Sequence, residues 1–222
     1  MGKVIASASM SLDGYIAKED NTIGRLFDWL QNGDVEFLTR TGSGDMTFHL
    51  GPTSARYWRD WTSRVGALVC GRTLFDVTDG WSGRHNFDVP VVVVTHNVPT
   101  GWVEAHPDAP FHFITGGVEQ AVAQAQELAG DRVVAVTAGT IARQCLELGL
   151  LDEVAVDLVP VVMGKGRPYF GEMSLEDVAL GDPTVCIQGD RVTHLVFPVS
   201  NGSPDSSCGP GASAFGSRHP DH

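Results

Sequence analysis

The sequence has few of the features that would place a protein on nucleic acid or in a membrane. Its 222 residues include 15 lysines and arginines against 27 aspartates and glutamates, a formal net charge of −12. The basic residues are scattered singly, so no patch offsets the repulsion between an acidic protein and phosphate groups. No apolar run approaches the ~20 residues that a membrane span requires. We therefore expect neither a nucleic-acid partner nor a membrane partner.

Cysteine and histidine are also too scattered to predict a metal site or a redox pair. The four cysteines form no CxxC motif, and the eight histidines form no HxH or HExxH motif. The N-terminal residues 1–6 lead directly into a strand-like run and lack the order of regions found in a signal peptide. These absences predict a reduced cytoplasmic protein without a bound metal.

Runs of β-branched apolar residues alternate with helical patterns, which is typical of an α/β sheet with crossover connections. Apolar spacing of the 3.6-residue type predicts helices over residues 118–129 and 141–148. The unbroken valines of residues 91–94 favour a strand that is buried on both faces. Five early strands are expected, at residues 4–9, 66–70, 89–94, 111–114 and 133–136.

After Leu150 the pattern changes to strands with little room for helices between them. We expect strands at residues 154–162, 184–188 and 191–197, and the short turn between the last two predicts an antiparallel hairpin. The predicted fold is thus an α/β domain: a mixed, mostly parallel sheet flanked by helices, with a C-terminal antiparallel hairpin.

The domain organisation follows from composition. Residues 1–199 are assigned to one domain, and residues 200–222, rich in Gly, Pro and Ser, are expected to form a disordered tail. Residues 34–63 are the least regular part of the domain, although 54–64 fit a helix. This excursion is interpreted as a substrate lid, a dimer contact or a plain surface loop.

Glycines and polar residues follow three of the predicted strands. Ligands of open α/β sheets bind outside the carboxyl ends of the strands, and the exposed N–H groups at a helix start attract phosphate. A guanidinium at such a place pairs with phosphate through two hydrogen bonds. The pattern therefore predicts a site for an anionic nucleotide, formed by Gly71, Arg72 and Thr73, by Thr95 and His96, and by Ala138, Gly139, Thr140 and Ile141.

Two carboxylates and three aromatic residues are candidates for contact with a substrate. Asp13, in an Asp-Gly turn, and Asp28, among apolar neighbours, are candidate proton donors. Burial of Asp28 would raise the pKa of its carboxyl, whereas an exposed helix position would leave it without a role. Tyr15, Trp29 and Trp81 are candidates for stacking on a flat substrate.

Five segments resemble the C-terminal reductase domain of bacterial RibD and the dihydrofolate-reductase-like proteins akin to it. They are residues 11–17, 71–72, 137–140, 150–154 and 159–170, and the resemblance extends over about residues 2–198. It implies a dihydrofolate-reductase-like fold, NADPH as hydride donor and a homodimer. It also implies positions for the cofactor: Gly71, Arg72 and Thr73 at the adenosine 2′-phosphate, Thr95 and His96 at the adenine ribose, Ala138, Gly139, Thr140 and Ile141 at the pyrophosphate, and Ile16 and Ala17 at the nicotinamide.

The sequence departs from that family pattern in three places. Ala138 replaces a usual glycine, Leu74 stands where threonine is common, and the zinc-binding deaminase half of bifunctional RibD is absent. Riboflavin synthesis therefore does not follow from the resemblance.

Three hypotheses for the function remain. The first is an NADPH-dependent reductase that acts on a small heterocyclic, carbonyl or imine substrate, resembling the 5-amino-6-(5-phosphoribosylamino)uracil reductases of the RibD type and the dihydrofolate reductases. The second is a non-catalytic, nucleotide-binding dimeric scaffold of the same fold. A flavin-dependent enzyme is the third.

Overall fold

The apolar runs form strands and the amphipathic segments form helices in the computed structural model, which describes residues 1–173 and 177–200. The strands are β1 (Val4–Ser11), β2 (Tyr15–Ala17), β3 (Val35–Thr41), β4 (Gly44–Leu50), β5 (Val65–Gly71), β6 (Val91–Val94), β7 (Phe111–Ile114), β8 (Val133–Thr137), β9 (Glu153–Val159), β10 (Arg167–Pro168), β11 (Val185–Gly189) and β12 (Val192–Pro198). The α-helices are α1 (Pro52–Arg64), α2 (Arg72–Val77), α3 (Thr100–Ala105), α4 (Val118–Ala129) and α5 (Thr140–Glu147). Two 3₁₀ segments, Asp28–Leu30 and Asp79–Gly83, lie in the connections.

Eight of the strands form one mixed sheet, in the order β11-β12-β9-β1-β8-β5-β6-β7. The six strands from β9 to β7 in that order run parallel to their neighbours, whereas β12 is antiparallel to both β9 and β11. This confirms the predicted mixed, mostly parallel sheet with a C-terminal antiparallel hairpin. Because β5, β8 and β1 are parallel neighbours, their carboxyl ends share one edge of the sheet.

The sheet is buried on both faces, as its continuous apolar strands predict. Along β5, Val69 packs into the cluster beneath α4 and α5, while Leu68 packs into the cluster beneath α1. Valines of β6 alternate between the same two clusters. Full burial of each such side chain contributes about 1.5–3 kcal/mol.

Residues 34–63 are more regular than the sequence indicated. β3 and β4 pair as a hairpin through the tight turn between Thr41 and Gly44, and α1 follows with Pro52 in its first turn, where the missing N–H costs no helical hydrogen bond. A third cluster of buried residues, including Leu26, Trp29 and Leu50, packs beneath this part of the chain. The expected helix over 54–64 is confirmed.

Other boundaries differ by a few residues. β9 ends at Val159 rather than at residue 162, because Pro160 has no N–H to continue the ladder. The predicted tail, from residue 201 onward, falls outside the described residues. In the described part of the chain, no helix has both the length and the apolar character needed to cross a membrane.

Candidate functional site

Arg72 lies at the shared edge where β5 and β6 end. Its Nη1 donates to the Asn97 carbonyl at 2.9 Å and to Thr95 Oγ1 at 3.5 Å, and its Nε donates to Asp76 Oδ1 at 2.7 Å. Among the described residues, none accepts a hydrogen bond from Nη2. The guanidinium is therefore fixed by three contacts and retains two donors that an anion at this edge can use.

Gly139 forms the turn between β8 and α5. Its φ of +93° and ψ of −146° lie in a region that side chains other than glycine's strain to adopt. Ala138 does not adopt a positive φ, so an alanine side chain is accommodated at this position without backbone strain. No side chain caps α5, whose first N–H groups point out of the helix end. The Gly139 N–H donates to the Tyr169 carbonyl at 2.6 Å, so the donors that remain for a pyrophosphate are the first N–H groups of α5.

The structure brings most of the predicted cofactor residues to the same edge. A methyl group on Gly71 would lie 3.2 Å from Ile141 Cγ1, and one on Gly139 would lie 3.7 Å from Ile16 Cδ1. The Ile141 side chain is buried in the core, so only its backbone faces this edge. Thr95 is buried beside Arg72. The remaining predicted cofactor residues are half-buried or exposed: Ala17, Thr73, His96, Ala138 and Thr140.

A cavity of about 170 Å³ opens between α1 and the sheet, next to the Gly139 turn. Thr137, the last residue of β8 and two residues before Gly139 in the chain, is part of its wall, so the cavity reaches the sheet edge where β8 ends. Asp157 is the one carboxylate among its described lining residues, and lysine and arginine are absent from that set. The full set of lining residues is mostly apolar and aromatic: Ser7, Ala8, Tyr57, Trp58, Trp61, Leu68, Leu74, Trp81, His85, Phe87, Thr137, Ala155 and Asp157.

A left-handed turn places Trp81, one of the three candidate stacking residues, in the wall of this cavity. Asp79, Gly80, Trp81 and Ser82 all have φ between 48° and 54°. A methyl group on Gly80 would lie 2.6 Å from Trp102 Cζ2, so the turn is closely packed from outside. Such backbone is strained for residues other than glycine and occurs often at functional sites.

His85 packs edge-on against Trp81, with ring centroids 4.6 Å apart. Burial lowers the pKa of His85 to about 3, because the charged imidazolium loses its hydration. Its Nδ1 accepts the Phe87 N–H at 3.2 Å, which fits the neutral ring. His85 is therefore an uncharged wall of the cavity.

Sequence reasoning missed the polar group of the cavity, Asp157, and the residues behind it. Asp157 Oδ1 lies 2.6 Å from Nδ1 of His194, and Nε2 of the same ring lies 2.9 Å from Ser54 Oγ. Burial and the neighbouring Asp157 charge raise the pKa of Tyr57, which stacks on the His194 ring. The available signal was an acid within the strand predicted over residues 154–162 and a histidine within the strand predicted over residues 191–197. The antiparallel pairing of β9 with β12 places these two positions opposite each other.

Asp13 has a different role from the one predicted. Its carboxylate accepts hydrogen bonds from Ser11 Oγ at 2.6 Å and from the N–H groups of Met163 and Gly164. The Ser11 hydroxyl, followed by these backbone donors, lowers the pKa of Asp13 to about 2. A carboxyl group that stays ionised at neutral pH is a poor proton donor, so Asp13 fastens the loop at residues 163–164 instead.

Three further candidate residues, Asp28, Trp29 and Tyr15, lie outside the lining of the cavity. Asp28 is exposed and forms an ion pair with Arg25 at 2.9 Å, away from the cavity lining. Trp29 is 1% exposed, and its Nε1 donates to Ser9 Oγ at 3.2 Å, so no substrate can stack on it. Tyr15 lies on β2, beside β10, and does not line the cavity either.

Comparisons with known proteins agree with this architecture. The family model of the RibD C-terminal domain matches residues 2–193. The uncharacterized protein YwjB of Bacillus subtilis (strain 168) is 25% identical over 174 residues, which is 78% of this chain and 86% of YwjB.

Solved structures that share the fold include the following two. A candidate riboflavin biosynthesis protein from Shewanella sp. PV-4 has a TM-score of 0.65 at 20% identity, over 89% of this chain and 99% of that one. A pyrimidine reductase-like protein from Corynebacterium diphtheriae has a TM-score of 0.60 at 12% identity, over 90% and 93% of the two chains. The resemblance found in the sequence is thus confirmed, and the chain belongs to the RibD C-terminal domain family.

Proposed function

We propose that this protein is an NADPH-dependent reductase that acts on a small heterocyclic, carbonyl or imine substrate. The observation that carries the proposal is the position of Thr137. This residue lines the cavity, and it ends β8 just before the turn that contains Gly139. A cofactor held along that turn and a substrate in the cavity would be neighbours, as hydride transfer requires.

The residues at the sheet edge fit a nicotinamide dinucleotide phosphate. Gly139 adopts a positive φ that favours glycine, so no side chain stands in the path of the pyrophosphate. The start of α5 offers backbone N–H groups. Arg72 holds two guanidinium donors for the 2′-phosphate. When bound, NADPH supplies the hydride.

The cavity fits one planar ring of the substrate. An apolar cavity of about 150 Å³ accommodates benzene, and this one measures about 170 Å³. Its walls are largely aromatic, and Asp157 is the one carboxylate among the described lining residues, in position to contact a bound molecule. Asp157 therefore replaces Asp13 and Asp28 as the residue expected to bind a substrate nitrogen or to exchange a proton with it.

Calorimetry and thermal melting with NADPH and NADH test cofactor binding. Loss of nicotinamide absorbance, followed across a panel of pterins, pyrimidines, quinones and aldehydes, then tests turnover. We expect NADPH to bind more tightly than NADH and at least one acceptor to be reduced. Binding without turnover over the whole panel would favour a nucleotide-binding scaffold, and no binding at millimolar NADPH would refute the proposal.

The homodimer is part of the same proposal. Light scattering coupled to gel filtration tests it, and a monomeric mass at micromolar protein would exclude it.

A further inference from the structure

His194 joins three elements behind the wall of the cavity. It lies on β12 directly opposite Asp157 of β9, and it reaches across to Ser54 in the first turn of α1. The His194 side chain is completely buried, and Ser54 is 1% exposed. Of the three residues, only Asp157 lines the cavity.

The imidazole ring is fixed by its neighbours as well as by its hydrogen bonds. Tyr57 stacks on it with ring centroids 4.3 Å apart and an interplanar angle of 24°. Trp29 contacts it edge-on at 5.4 Å. With both nitrogens bonded and both sides packed, the ring has one orientation available to it.

The chemistry of the partners sets the direction of the hydrogen bonds. An ionised carboxylate only accepts, so Nδ1 carries the proton that bonds to Asp157. In the tautomer whose one ring proton is on Nδ1, Nε2 accepts the hydroxyl proton of Ser54. Every donor in this chain points toward Asp157, whose second oxygen and remaining lone pairs are available to a molecule in the cavity.

A serine, a histidine and an aspartate in line also occur in hydrolases, but the order of exposure here is reversed. In those enzymes the serine faces the substrate and the carboxylate is buried behind the histidine. Here Ser54 is buried within the fold, and the carboxylate lines the cavity. The arrangement therefore suits the orientation of an acceptor and not nucleophilic attack.

We propose that His194, held by Ser54, is a positioning residue that orients Asp157 to accept a hydrogen bond from an N–H group of the ring bound in the cavity. The inference rests on the proposed function in taking this cavity as the substrate site. It adds a requirement on the substrate: a planar ring of about the size of benzene that presents an N–H donor to the carboxylate.

Benzamidine is a suitable probe, because it is a single ring with a planar cation that pairs with a carboxylate. Calorimetry on the full-length protein should show binding that Asp157→Asn weakens at least about tenfold. His194→Asn keeps a side-chain nitrogen at the position of Nδ1, and His194→Gln keeps one at the position of Nε2. Both variants lose the ring, so they form a matched pair: Asn keeps the hydrogen bond to Asp157, and Gln keeps the one to Ser54.

We expect His194→Asn to bind benzamidine within about threefold of the wild type and His194→Gln to bind about tenfold more weakly. Ser54→Ala should weaken binding about threefold, whereas Ser63→Ala, at the exposed end of the same helix, should have no effect. Equal losses for the two His194 variants would show that the ring only fills space and would overturn the proposal. An absence of benzamidine binding by the wild type would overturn it too.

Nitrogen-15 NMR of the wild-type imidazole provides a measurement that does not depend on the variants folding. The proton should reside on Nδ1 at neutral pH, and a proton on Nε2 with a bare Nδ1 would contradict the proposal. NADPH affinity, measured on the same samples, should be unchanged in all variants. Failure of NADPH to bind would refute the proposed reductase. The role of His194 would still be tested separately, by the benzamidine affinities of the variants.

Discussion

Replacement of Arg72 by alanine is the most direct test of the cofactor assignment. NADPH and NADH differ only in the 2′-phosphate, so a residue that binds this group must discriminate between them. The Arg72 guanidinium is 40% exposed and already bonds to Asp76, Thr95 and the Asn97 carbonyl. The two donors on Nη2 are those expected to contact the phosphate.

The magnitude follows from this geometry. Hydrogen bonds to charged groups contribute about 1.5–3 kcal/mol. Exposure to solvent and competition from Asp76 favour the lower end, about 1.5 kcal/mol, which corresponds to an approximately tenfold change in Kd. Arg72→Ala should therefore raise the Kd of NADPH about tenfold and that of NADH less than about twofold, both measured by calorimetry.

Arg64 supplies the matched control. It forms an ion pair with Asp60 through Nε at 3.0 Å and is 48% exposed, much like the pair of Arg72 and Asp76. It lies at the C-terminal end of α1, where β5 begins, whereas Arg72 follows the end of β5. Arg64→Ala should leave both coenzyme affinities unchanged. Equal losses of NADPH and NADH in Arg72→Ala would refute the assignment of the 2′-phosphate.

Three further predictions concern the stability of the site. Gly139→Ala forces a side chain into a glycine-only region and should cost about 1–3 kcal/mol, seen as a melting temperature lower by several degrees; an unchanged melt would show that the turn relaxes. Protonation of buried His85 favours the unfolded chain, so wild-type stability should fall by up to about 1.4 kcal/mol per pH unit between about pH 6.5 and about pH 3. Urea titrations of His85→Asn should lack that component, and a slope identical to wild type would contradict the pKa shift. Trp29→Ala should lower the unfolding free energy by about 3–5 kcal/mol, whereas the milder Trp29→Phe should keep benzamidine binding; loss of that binding in a stable Phe variant would restore a stacking role.

The strands and helices were predictable where one periodicity dominates a segment. The helix over 118–129 has the bounds that its apolar spacing indicates, and the valines of β6 are buried on both faces as expected. The hairpin of β3 and β4 was missed: residues 46–50 of β4 alternate in polarity, but in β3 the adjacent apolar residues Phe37 and Leu38 interrupt the alternation. Its turn contains Gly42 and Ser43, a two-residue connection typical of hairpins.

Site residues were predictable where they depend on strand ends alone. The edge of a parallel sheet follows from strand order, so Arg72 and Gly139 could be placed near one another without coordinates. Asp157 and His194 could not, because their contact depends on the pairing of two strands and on the helix that carries Ser54. Trp29 was wrongly expected to contact a substrate, because the sequence does not distinguish an aromatic residue that faces a ligand from one that is buried in the core.

The position of β1 has a consequence for the nascent chain. This strand is made first, yet its neighbours in the sheet are β8 and β9, which begin at Val133 and Glu153. At about 5–20 residues per second, a ribosome needs on the order of ten seconds to synthesise the intervening segment. We therefore expect an apolar N-terminal strand to wait, unpaired, until the second half of the protein has emerged, which makes it a natural target for chaperones during translation.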